Sequence, residues 1–342
     1  MDYIVSLHDR LTKSCRKALD KIGALITYES KYVPVIGIKT DTPWDGDNYD
    51  FIREIRVPYE GVFENLTTSS ITFQPTISEK LLTNNNLIGW GSKIAFLDSG
   101  ANDINKSIAD HIDLTGTGII DTKGHGTVVA KIIKNFAKGS LLYSVKIGKD
   151  RPDEINMMKG IEWAIENEVN VVNISSSIYR DPRCKSECDL CQLINVASDF
   201  GIAIVVAAGN RNSVTYNIQC PGIATKSITV GAIDQFKRVA EFSCIDSVNG
   251  SKPDIVAPGY CVANGSLITG TSLAAPIVAG VIGAIRTSDR HINDTVQYIY
   301  STADDTGYPR YYQGNGALNI DKLVGVVKDE KVNCKVEGQE IG

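Results

Sequence analysis

The chain has 342 residues, of which 43% are hydrophobic and 22% charged, an ordinary composition for a globular protein. This length allows one large α/β domain and a small second domain. The formal net charge of -5 gives no reason to expect nucleic acid or an anionic membrane as a partner. The longest apolar stretch, residues 273–285, is shorter than the about 20 residues that span a bilayer.

The start of the chain contains one short apolar run, residues 3–5, whereas a secretory signal needs roughly 7–15 apolar residues. We therefore expect a soluble, monomeric, cytoplasmic protein without a membrane partner, although export by another route stays open. The chain has 8 cysteines, and reduced thiols are the default expectation in that compartment.

The first 66 residues combine short strands with helical periodicity. Alternating apolar residues favour strands at residues 3–7, 24–28, 33–38 and 52–57, and a helical period favours a helix over 10–22. A short second helix is expected before the last strand, although this stretch is polar and loop-like. Residues 1–66 are therefore predicted to form a small α+β domain. Residues 67–89, which begin rich in Thr, Ser and Asn, are predicted to be a linker and lead-in, with a plain extended surface segment as the alternative.

From about residue 93 onward, continuous apolar runs alternate with helical periods. The runs cover residues 94–97, 141–147, 169–174, 202–208, 228–233 and 255–257, and the helices cover 126–137, 154–168, 190–200 and 272–286. This alternation predicts an α/β fold with a mostly parallel sheet that is covered by helices on both faces. Such sheets place ligands and chemistry at the carboxyl ends of their strands.

Two residues at the start of predicted helices can carry chemistry. Ser272 lies close before Pro276, which fits only in the first turn, and beside unpaired backbone N–H groups that can hold an oxyanion. His125 lies between two glycines, which allow close approach of a substrate or another backbone. The alternatives are an N-cap serine and an ordinary surface or core histidine.

Two more candidates follow predicted strands. Asp98 directly follows a buried run, where an ionisable group is costly unless a partner such as a histidine pairs with it. Asn210 follows another run, and its side-chain amide is a suitable donor to an oxyanion. For both residues the alternative is a turn-forming role.

The four candidates occur in the order Asp98, His125, Asn210, Ser272, each with its own flanking sequence. Further landmarks lie at residues 142–146, 160–164, 171–175, 230–232, 257–259 and 314–319. Over about residues 90–325 the chain resembles the subtilisin-like serine proteases, the subtilase or peptidase S8 family. The resemblance implies a subtilisin-like catalytic domain at residues 90–328, followed by a tail at residues 329–342.

The resemblance also implies the chemistry of a serine endopeptidase that acts on peptide or protein substrates and needs no cofactor for catalysis. Ser272 would be the nucleophile, His125 its base and Asp98 the residue that orients the imidazole. The Asn210 amide and the Ser272 N–H would hold the oxyanion. Residues expected to bind substrate are Ser175, Ser176, Ser177, Ala207, Ala208 and Gly209. The alternatives are a catalytically inactive relative that binds peptides and an unrelated α/β binding protein.

By its position, the N-terminal domain resembles the family's inhibitory propeptide, which has a ferredoxin-like strand–helix–strand–strand–helix–strand order. This resemblance implies a zymogen in which the domain is an intramolecular inhibitor and its C-terminal end lies in the cleft before cleavage. The cleavage junction is expected between residues 60 and 85. A permanent accessory domain is the alternative.

Departures from the family concern the residues near the site and one metal. Val128 and Leu273 stand where the family usually has histidine and methionine. Both replacements are apolar and should tune packing rather than remove catalysis. The connection between the His125 helix and the next predicted strand is short and consists of residues 135–140. Many secreted relatives build a tight calcium site in a longer loop there, so we expect that site to be absent.

A cysteine-rich insertion follows the predicted cleft strand. It carries Cys184, Cys188 and Cys191, and by family geometry it lies on the rim of the first specificity pocket, with Cys220 lining the pocket from the other side. The four cysteines could bind zinc, form disulfides or remain thiols. The spacing also matches an iron–sulfur site, which the absence of any redox context disfavours.

Overall fold

The computed structural model describes residues 1–44, 46, 49–59, 61–63, 79–102, 106–179, 184–211, 216–246, 250–263, 266–286 and 292–337. These residues form a small antiparallel sheet near the N-terminus and a larger parallel sheet with helices on both faces.

The small N-terminal domain contains strands β1 (Asp2–Leu7), β2 (Leu25–Glu29), β3 (Val35–Lys39) and β4 (Ile52–Arg56), with helix α1 (Lys13–Lys21) between β1 and β2. The strands pair antiparallel in the spatial order β2-β3-β1-β4. Strand β5 (Gly61–Val62) follows the small domain in the chain, and helix α2 (Lys80–Asn84) precedes the first strand of the large domain.

The expected second helix of this domain is wrong for the residues that the structure describes. Between β3 and β4, the described residues 40–44, 46 and 49–51 contain no helix. Pro43 lacks a backbone N–H, and Thr40 Oγ1 donates to Thr42 O at 2.6 Å, so side chain and backbone form a turn here instead.

The central sheet of the large domain has seven parallel strands in the order β13-β12-β11-β9-β6-β8-β7. Their bounds are β6 (Lys93–Asp98), β7 (Ile108–Asp113), β8 (Leu141–Lys146), β9 (Val171–Ile174), β11 (Ala203–Ala207), β12 (Ile228–Ile233) and β13 (Ile255–Pro258). The short strand β10 (Ser177–Ile178) pairs with β5, and β14 (Tyr260–Ala263) pairs with β15 (Ser266–Thr269). The α/β class and the parallel sheet predicted from the sequence are confirmed.

Helices cover both faces of this sheet. They are α3 (His125–Phe136), α4 (Glu154–Glu166), α5 (Asp189–Asp199), α6 (Thr271–Ile285), α7 (Ile292–Ser301), α8 (Arg310–Gln313) and α9 (Ile320–Glu337). Neighbouring residues of β6 pack on opposite faces of the sheet. Phe96 packs with the layer that contains α3 and α6, and Leu97 packs with the layer that contains α4 and α5. Among the described residues, no helix is both long and apolar enough to cross a membrane.

Candidate active site

Asp98 and His125 meet at the carboxyl edge of the central sheet. Asp98 is the last residue of β6, His125 is the first residue of α3, and Asp98 Oδ1 lies 2.7 Å from His125 Nδ1. Both side chains are fully buried. A carboxylate only accepts hydrogen bonds, so this contact places the proton on Nδ1 and fixes the ring orientation.

Glycines let the His125 helix begin this close to the strand. A Cβ on Gly126 would lie 2.0 Å from Gly100 O and 3.1 Å from Asp98 Oδ1, so no other residue fits there. Gly124 has φ +82°, a left-handed conformation that favours glycine. The two glycines that flank His125 are therefore needed for its approach to Asp98.

Asp121, which no sequence pattern marked as a site residue, holds the same helix start. This buried carboxylate accepts from Ser99 Oγ at 2.8 Å, from Gly124 N at 2.8 Å, and from Thr127 N and Oγ1 at 2.8 and 2.6 Å. Ser99 Oγ in turn accepts from Gly126 N at 3.1 Å. The strand end that carries Asp98 and the helix start that carries His125 are thus joined through one acidic side chain.

The Ser272 and Asn210 side chains both lie close to Gly270. A Cβ on Gly270 would lie 3.0 Å from Ser272 Oγ and 3.2 Å from Asn210 Nδ2. Thr271 donates to Asn210 Oδ1 from its backbone N at 2.9 Å and from Oγ1 at 3.1 Å. Asn210 is thereby held by its oxygen and leaves its NH₂ group available to the space near Ser272. Ser272 Oγ is buried and has no hydrogen-bond partner among the described residues.

The packing of α3 against α6 relates His125 to Ser272. A Cβ on Gly280 would lie 2.8 Å from Phe136 Cβ and 3.0 Å from Ile133 O, so the two helices touch without a side chain between them. Gly280 follows Ser272 by 8 residues, and Ile133 follows His125 by 8 residues. Because α3 begins beside the end of β6 and α6 begins beside the end of β11, both helices start at the carboxyl edge of the sheet.

The structure brings the predicted cleft serines to the same region. Ser175 Oγ accepts from Asn173 Nδ2 at 2.9 Å and donates to Ser272 O at 3.2 Å. The Ser176 hydroxyl is buried without a hydrogen-bond partner among the described residues. Ser177 belongs to β10, and its Oγ lies 3.4 Å from the position of a Cβ on Gly209.

The predicted residues at the end of β11 divide into two kinds. Ala207 and Ala208 are buried in the sheet, where Ala208 N donates to Val230 O at 2.9 Å. Gly209 has φ +95°, and its N donates to Thr271 Oγ1 at 3.1 Å. Gly209 thus turns the chain from the strand towards Asn210, whereas the two alanines pack within the core.

The end of the N-terminal domain reaches the same site. Val62 and Gly61 of β5 pair antiparallel with Ser177 and Ile178 of β10. The Phe63 ring then lies 5.7 Å from the His125 ring, centroid to centroid, and is 3% exposed. A cavity of ≈ 310 Å³ opens beside Phe63. An extended segment of this chain therefore covers the site.

The N-terminal domain is anchored on the starts of α4 and α5. Arg56 donates to both oxygens of Glu154, the first residue of α4, at 2.9 Å each. Arg53 donates to Asp189, the first residue of α5, at 2.7 Å. These carboxylates lie at helix N-termini, where negative charge is favourable, and each also pairs with a cation from the other domain.

A third acidic contact lies further along α4. Glu162 accepts from Tyr28 OH at 3.0 Å, from Lys31 N at 3.1 Å, and from Ser30 Oγ. Burial raises the pKa of the Glu162 carboxyl, although its three hydrogen bonds oppose this shift. Burial, followed by the Glu162 charge, raises the pKa of Tyr28 well above its usual range.

The four cysteines of the predicted cluster do converge. The sulfur atoms of Cys184, Cys188, Cys191 and Cys220 all lie within 4.8 Å of one another. Hydrogen bonds from the other three thiols, with that of Cys188 the largest, lower the pKa of Cys184. Hydrogen bonds to Cys184 first, then the other thiols and burial, raise the pKa of Cys191.

Comparison with known sequences identifies relatives for most of the chain. The sequence profile of the subtilase family matches residues 72–317. Subtilisin BL from Lederbergia lenta is 32% identical over 267 residues, which cover 70% of this chain and 92% of the relative. The M-protease of Shouchella clausii is 28% identical over 332 residues, which cover 88% of this chain and 82% of the relative.

Comparison with solved structures extends to the N-terminal domain. An epidermin leader peptide processing serine protease from Staphylococcus aureus matches with a TM-score of 0.76 and 21% identity, covering 95% of this chain and 99% of the other. At this identity the likeness shows the fold alone.

Proposed function

Because the chain belongs to the subtilase family and is thus a subtilisin-like serine protease, a hydrolase that acts on peptides, we propose that it cleaves peptide bonds as an endopeptidase through Asp98, His125 and Ser272. The observation that carries this assignment is the 2.7 Å contact between Asp98 Oδ1 and His125 Nδ1, at the sheet edge where Ser272 lies in the first turn of α6. An imidazole held by a carboxylate in this way presents its other nitrogen as a base.

In the proposed mechanism, His125 Nε2 takes the proton of Ser272 Oγ as the oxygen attacks the scissile carbonyl carbon. The negative charge moves to the carbonyl oxygen, where Asn210 Nδ2 and the Ser272 N–H donate to it. His125 then gives its proton to the leaving amine, and the C–N bond breaks. Water hydrolyses the resulting ester by the same steps in reverse, which restores the Ser272 hydroxyl. Asp98 orients the ring and stabilises its charged form.

We further propose that the N-terminal domain is an intramolecular inhibitor and that the chain is made as a zymogen. The pairing of Val62 with Ser177 follows the way an extended peptide adds a strand to a cleft. Phe63 stacks near His125, so a substrate cannot occupy that space at the same time. The predicted junction between residues 60 and 85 falls mostly outside the described residues, and its position stays a prediction.

A narrow substrate range suits this cleft better than general degradation. The Ser176 and Ser177 side chains are buried, Ser177 Oγ lies against Gly209, and the Cys220 carbonyl oxygen accepts from Ile178 N in the strand that lines the cleft. The Staphylococcus aureus protein of similar fold is named for leader peptide processing. Maturation of one peptide or protein precursor is therefore the role that we propose for this enzyme.

A fluorophosphonate probe tests the nucleophile directly. We expect the processed protein to be labelled on Ser272, the Ser272→Ala variant to remain unlabelled and uncut, and a Ser301→Ala control at an exposed helical serine to behave like the unaltered chain. Labelling that persists in Ser272→Ala would refute the assignment of the nucleophile. Absence of labelling in correctly folded, processed protein would favour the alternative of an inactive peptide-binding protein.

A further inference from the structure

The four clustered cysteines have the spacing of a mononuclear metal site. Cys188 Sγ and Cys191 Sγ each lie 3.6 Å from Cys220 Sγ, and Cys184 Sγ lies 4.0 Å from Cys191 Sγ. In a tetrahedral zinc–thiolate site the Zn–S distance of about 2.3 Å places the sulfur atoms about 3.8 Å apart. The observed separations fall on both sides of that value.

Two other arrangements fit these distances less well. A disulfide needs two sulfur atoms about 2.05 Å apart, and here Cys220 lies equally close to Cys188 and Cys191 without selecting one partner. In a [4Fe–4S] cluster the four thiolates bind four different irons, and in a [2Fe–2S] cluster two pairs bind two irons. In either case some thiolate sulfur atoms lie further apart than in a set that all lies within 4.8 Å of one another. The geometry therefore fits four ligands around one central ion.

The local backbone brings these side chains together. Cys188 is the N-cap residue of α5, and Cys191 lies in the first turn, so both face the same side of the helix start. Ser186 has φ +71°, uncommon for a residue with a side chain, and turns the chain so that Cys184 returns to the cluster. Such local strain persists where other interactions hold it, and ligation of Cys184 and Cys188 would do so.

We propose that Cys184, Cys188, Cys191 and Cys220 bind one zinc ion as four thiolates. The ion would join the start of α5 to the segment at Cys220, whose carbonyl oxygen accepts from Ile178 N at 2.8 Å. Ile178 belongs to β10, the strand that pairs with β5. The zinc ion therefore fixes the outer wall of the cleft, and its removal loosens that wall. The proposal does not depend on the catalytic roles of the other residues.

Metal analysis of the full chain tests the site without any activity measurement. The Ser272→Ala background prevents self-cleavage, and purification under anaerobic, reducing conditions without chelators preserves thiolates. We expect close to one zinc per chain by plasma mass spectrometry, and almost none in Cys191→Ser or Cys220→Ser. Cys15→Ser and Cys261→Ser, at one partly exposed and one buried cysteine outside the cluster, should retain the metal.

Two further measurements guard against misfolded variants. Cys184→His replaces one zinc ligand by another and should retain zinc that a chelator removes faster than from the parent chain. In the parent chain, the four cluster thiols should resist alkylation until a chelator is added. Any of three results would overturn the proposal: parent protein that stays zinc-free after zinc addition and desalting, iron in place of zinc, or a mapped disulfide within the cluster.

Discussion

At the scale of single residues, Asp121 holds together the strand end and the helix start that position Asp98 and His125. Its two carboxylate oxygens accept five hydrogen bonds, from Ser99, Lys123, Gly124 and twice from Thr127. These donors belong to the β6 end and to the α3 start, which carry Asp98 and His125. Removing the acceptor leaves one buried and several partly buried donors without this partner, and a fully buried unsatisfied donor costs about 1–3 kcal/mol.

We expect Asp121→Ala to lower kcat by about 10²-fold, because a small displacement of a catalytic group has effects of this size, with a smaller change in KM. Peptide hydrolysis by the processed enzyme measures both constants. Asp113→Ala is the matched control, because Asp113 also accepts backbone N–H groups, from Thr115 at 2.9 Å and Gly118 at 2.7 Å, but none from the α3 start. Equal loss of kcat in both variants would show that Asp121 acts only on general stability.

Local sequence patterns identified the candidate catalytic residues but not the side chain that holds them in position. Asp98, His125 and Ser272 each stand beside glycine or small residues that a close approach requires, and these are visible locally. Asp121 precedes Thr122-Lys123-Gly124, an ordinary turn sequence. The bonds from Lys123, Gly124 and Thr127 are local and fit such a turn. The bond from Ser99, 22 residues away, ties Asp121 to the end of β6, and no local pattern could reveal it.

At the scale of elements, the contact between α3 and α6 sets the separation of base and nucleophile. Gly280 lies against Phe136 and Ile133 with no room for a Cβ. We expect Gly280→Ala to reduce the free energy of unfolding by about 1–3 kcal/mol through overpacking, and to slow fluorophosphonate labelling of Ser272 as the helices move apart. Urea unfolding of the Ser272→Ala form and labelling of the active form measure the two effects.

Gly325→Ala is the control for this substitution. Gly325 lies at an exposed position of α9, where a Cβ would meet nothing within 4 Å. Alanine is a better helix former than glycine by up to about 1 kcal/mol, so this variant should be equal to or more stable than the parent. Destabilisation by both variants would show that the contact between α3 and α6 is not the cause of the lower stability.

The short connection between α3 and β8 supports the prediction that a tight calcium site is absent. Lys134 Nζ donates to Lys138 O at 3.0 Å and to Ser140 O at 2.8 Å, so an ammonium group already bonds carbonyl oxygens in this turn. Burial lowers the pKa of this ammonium. A calcium ion would compete with Lys134 for the same oxygen atoms.

Thermal melting with calcium or with a chelator tests this prediction. A tight site saturated at 100 times its Kd would stabilise the protein by about 2.7 kcal/mol, and we expect no rise in Tm of that size. Lys134→Ala should lower Tm in both conditions, whereas Lys138→Ala, which keeps its backbone carbonyl, should not. A large calcium-dependent rise in the unaltered chain would contradict the prediction.

The elements that the sequence revealed are the buried ones. Continuous apolar runs predicted the strands β6, β8, β9, β11, β12 and β13, because both faces of the sheet are covered, and helical periods predicted four long helices. Strand β7 is polar and half-exposed at the sheet edge, so it has no such run and was not predicted. The short second helix of the N-terminal domain was expected from the family order, although Pro43 and the polar residues around it favoured a loop.

At the scale of the whole molecule, the N-terminal domain stays in place through partly buried charge pairs. Arg56 is 9% exposed and Glu154 is fully buried, with two hydrogen bonds between them. Removing one partner of such a pair costs about 3–5 kcal/mol, because the other charge remains buried. We expect Arg56→Ala to weaken inhibition by about 10²- to 4 × 10³-fold, which active-site titration of the processed complex measures.

Arg16→Ala is the matched control, because Arg16 pairs with Glu29 inside the N-terminal domain and both side chains are more than one third exposed. Exposed pairs contribute about 0–1 kcal/mol, so inhibition should barely change. If Arg56→Ala inhibits as strongly as the parent, then the pairing with Glu154 does not anchor the domain.

The raised pKa of Glu162, which contacts the N-terminal domain, makes the stability of the protein depend on pH. Burial raises the pKa of this carboxyl in the folded chain, above the value of about 4.3 for an unperturbed Glu. The folded state therefore binds this proton more tightly than the unfolded state does. The stability contribution is fully present below the unfolded pKa, and it is lost as the pH rises through the folded pKa.

Glu162→Gln removes this dependence while keeping an acceptor for Tyr28 and Ser30. We expect the stability of Ser272→Ala, measured relative to its Glu162→Gln derivative, to fall as the pH rises from acidic to neutral. Urea unfolding at a series of pH values measures this difference. Glu168→Gln, at an exposed carboxylate in the connection after α4, should leave the profile unchanged. A difference that grows in favour of the glutamate with rising pH would show that its hydrogen bonds outweigh the cost of burying its charge.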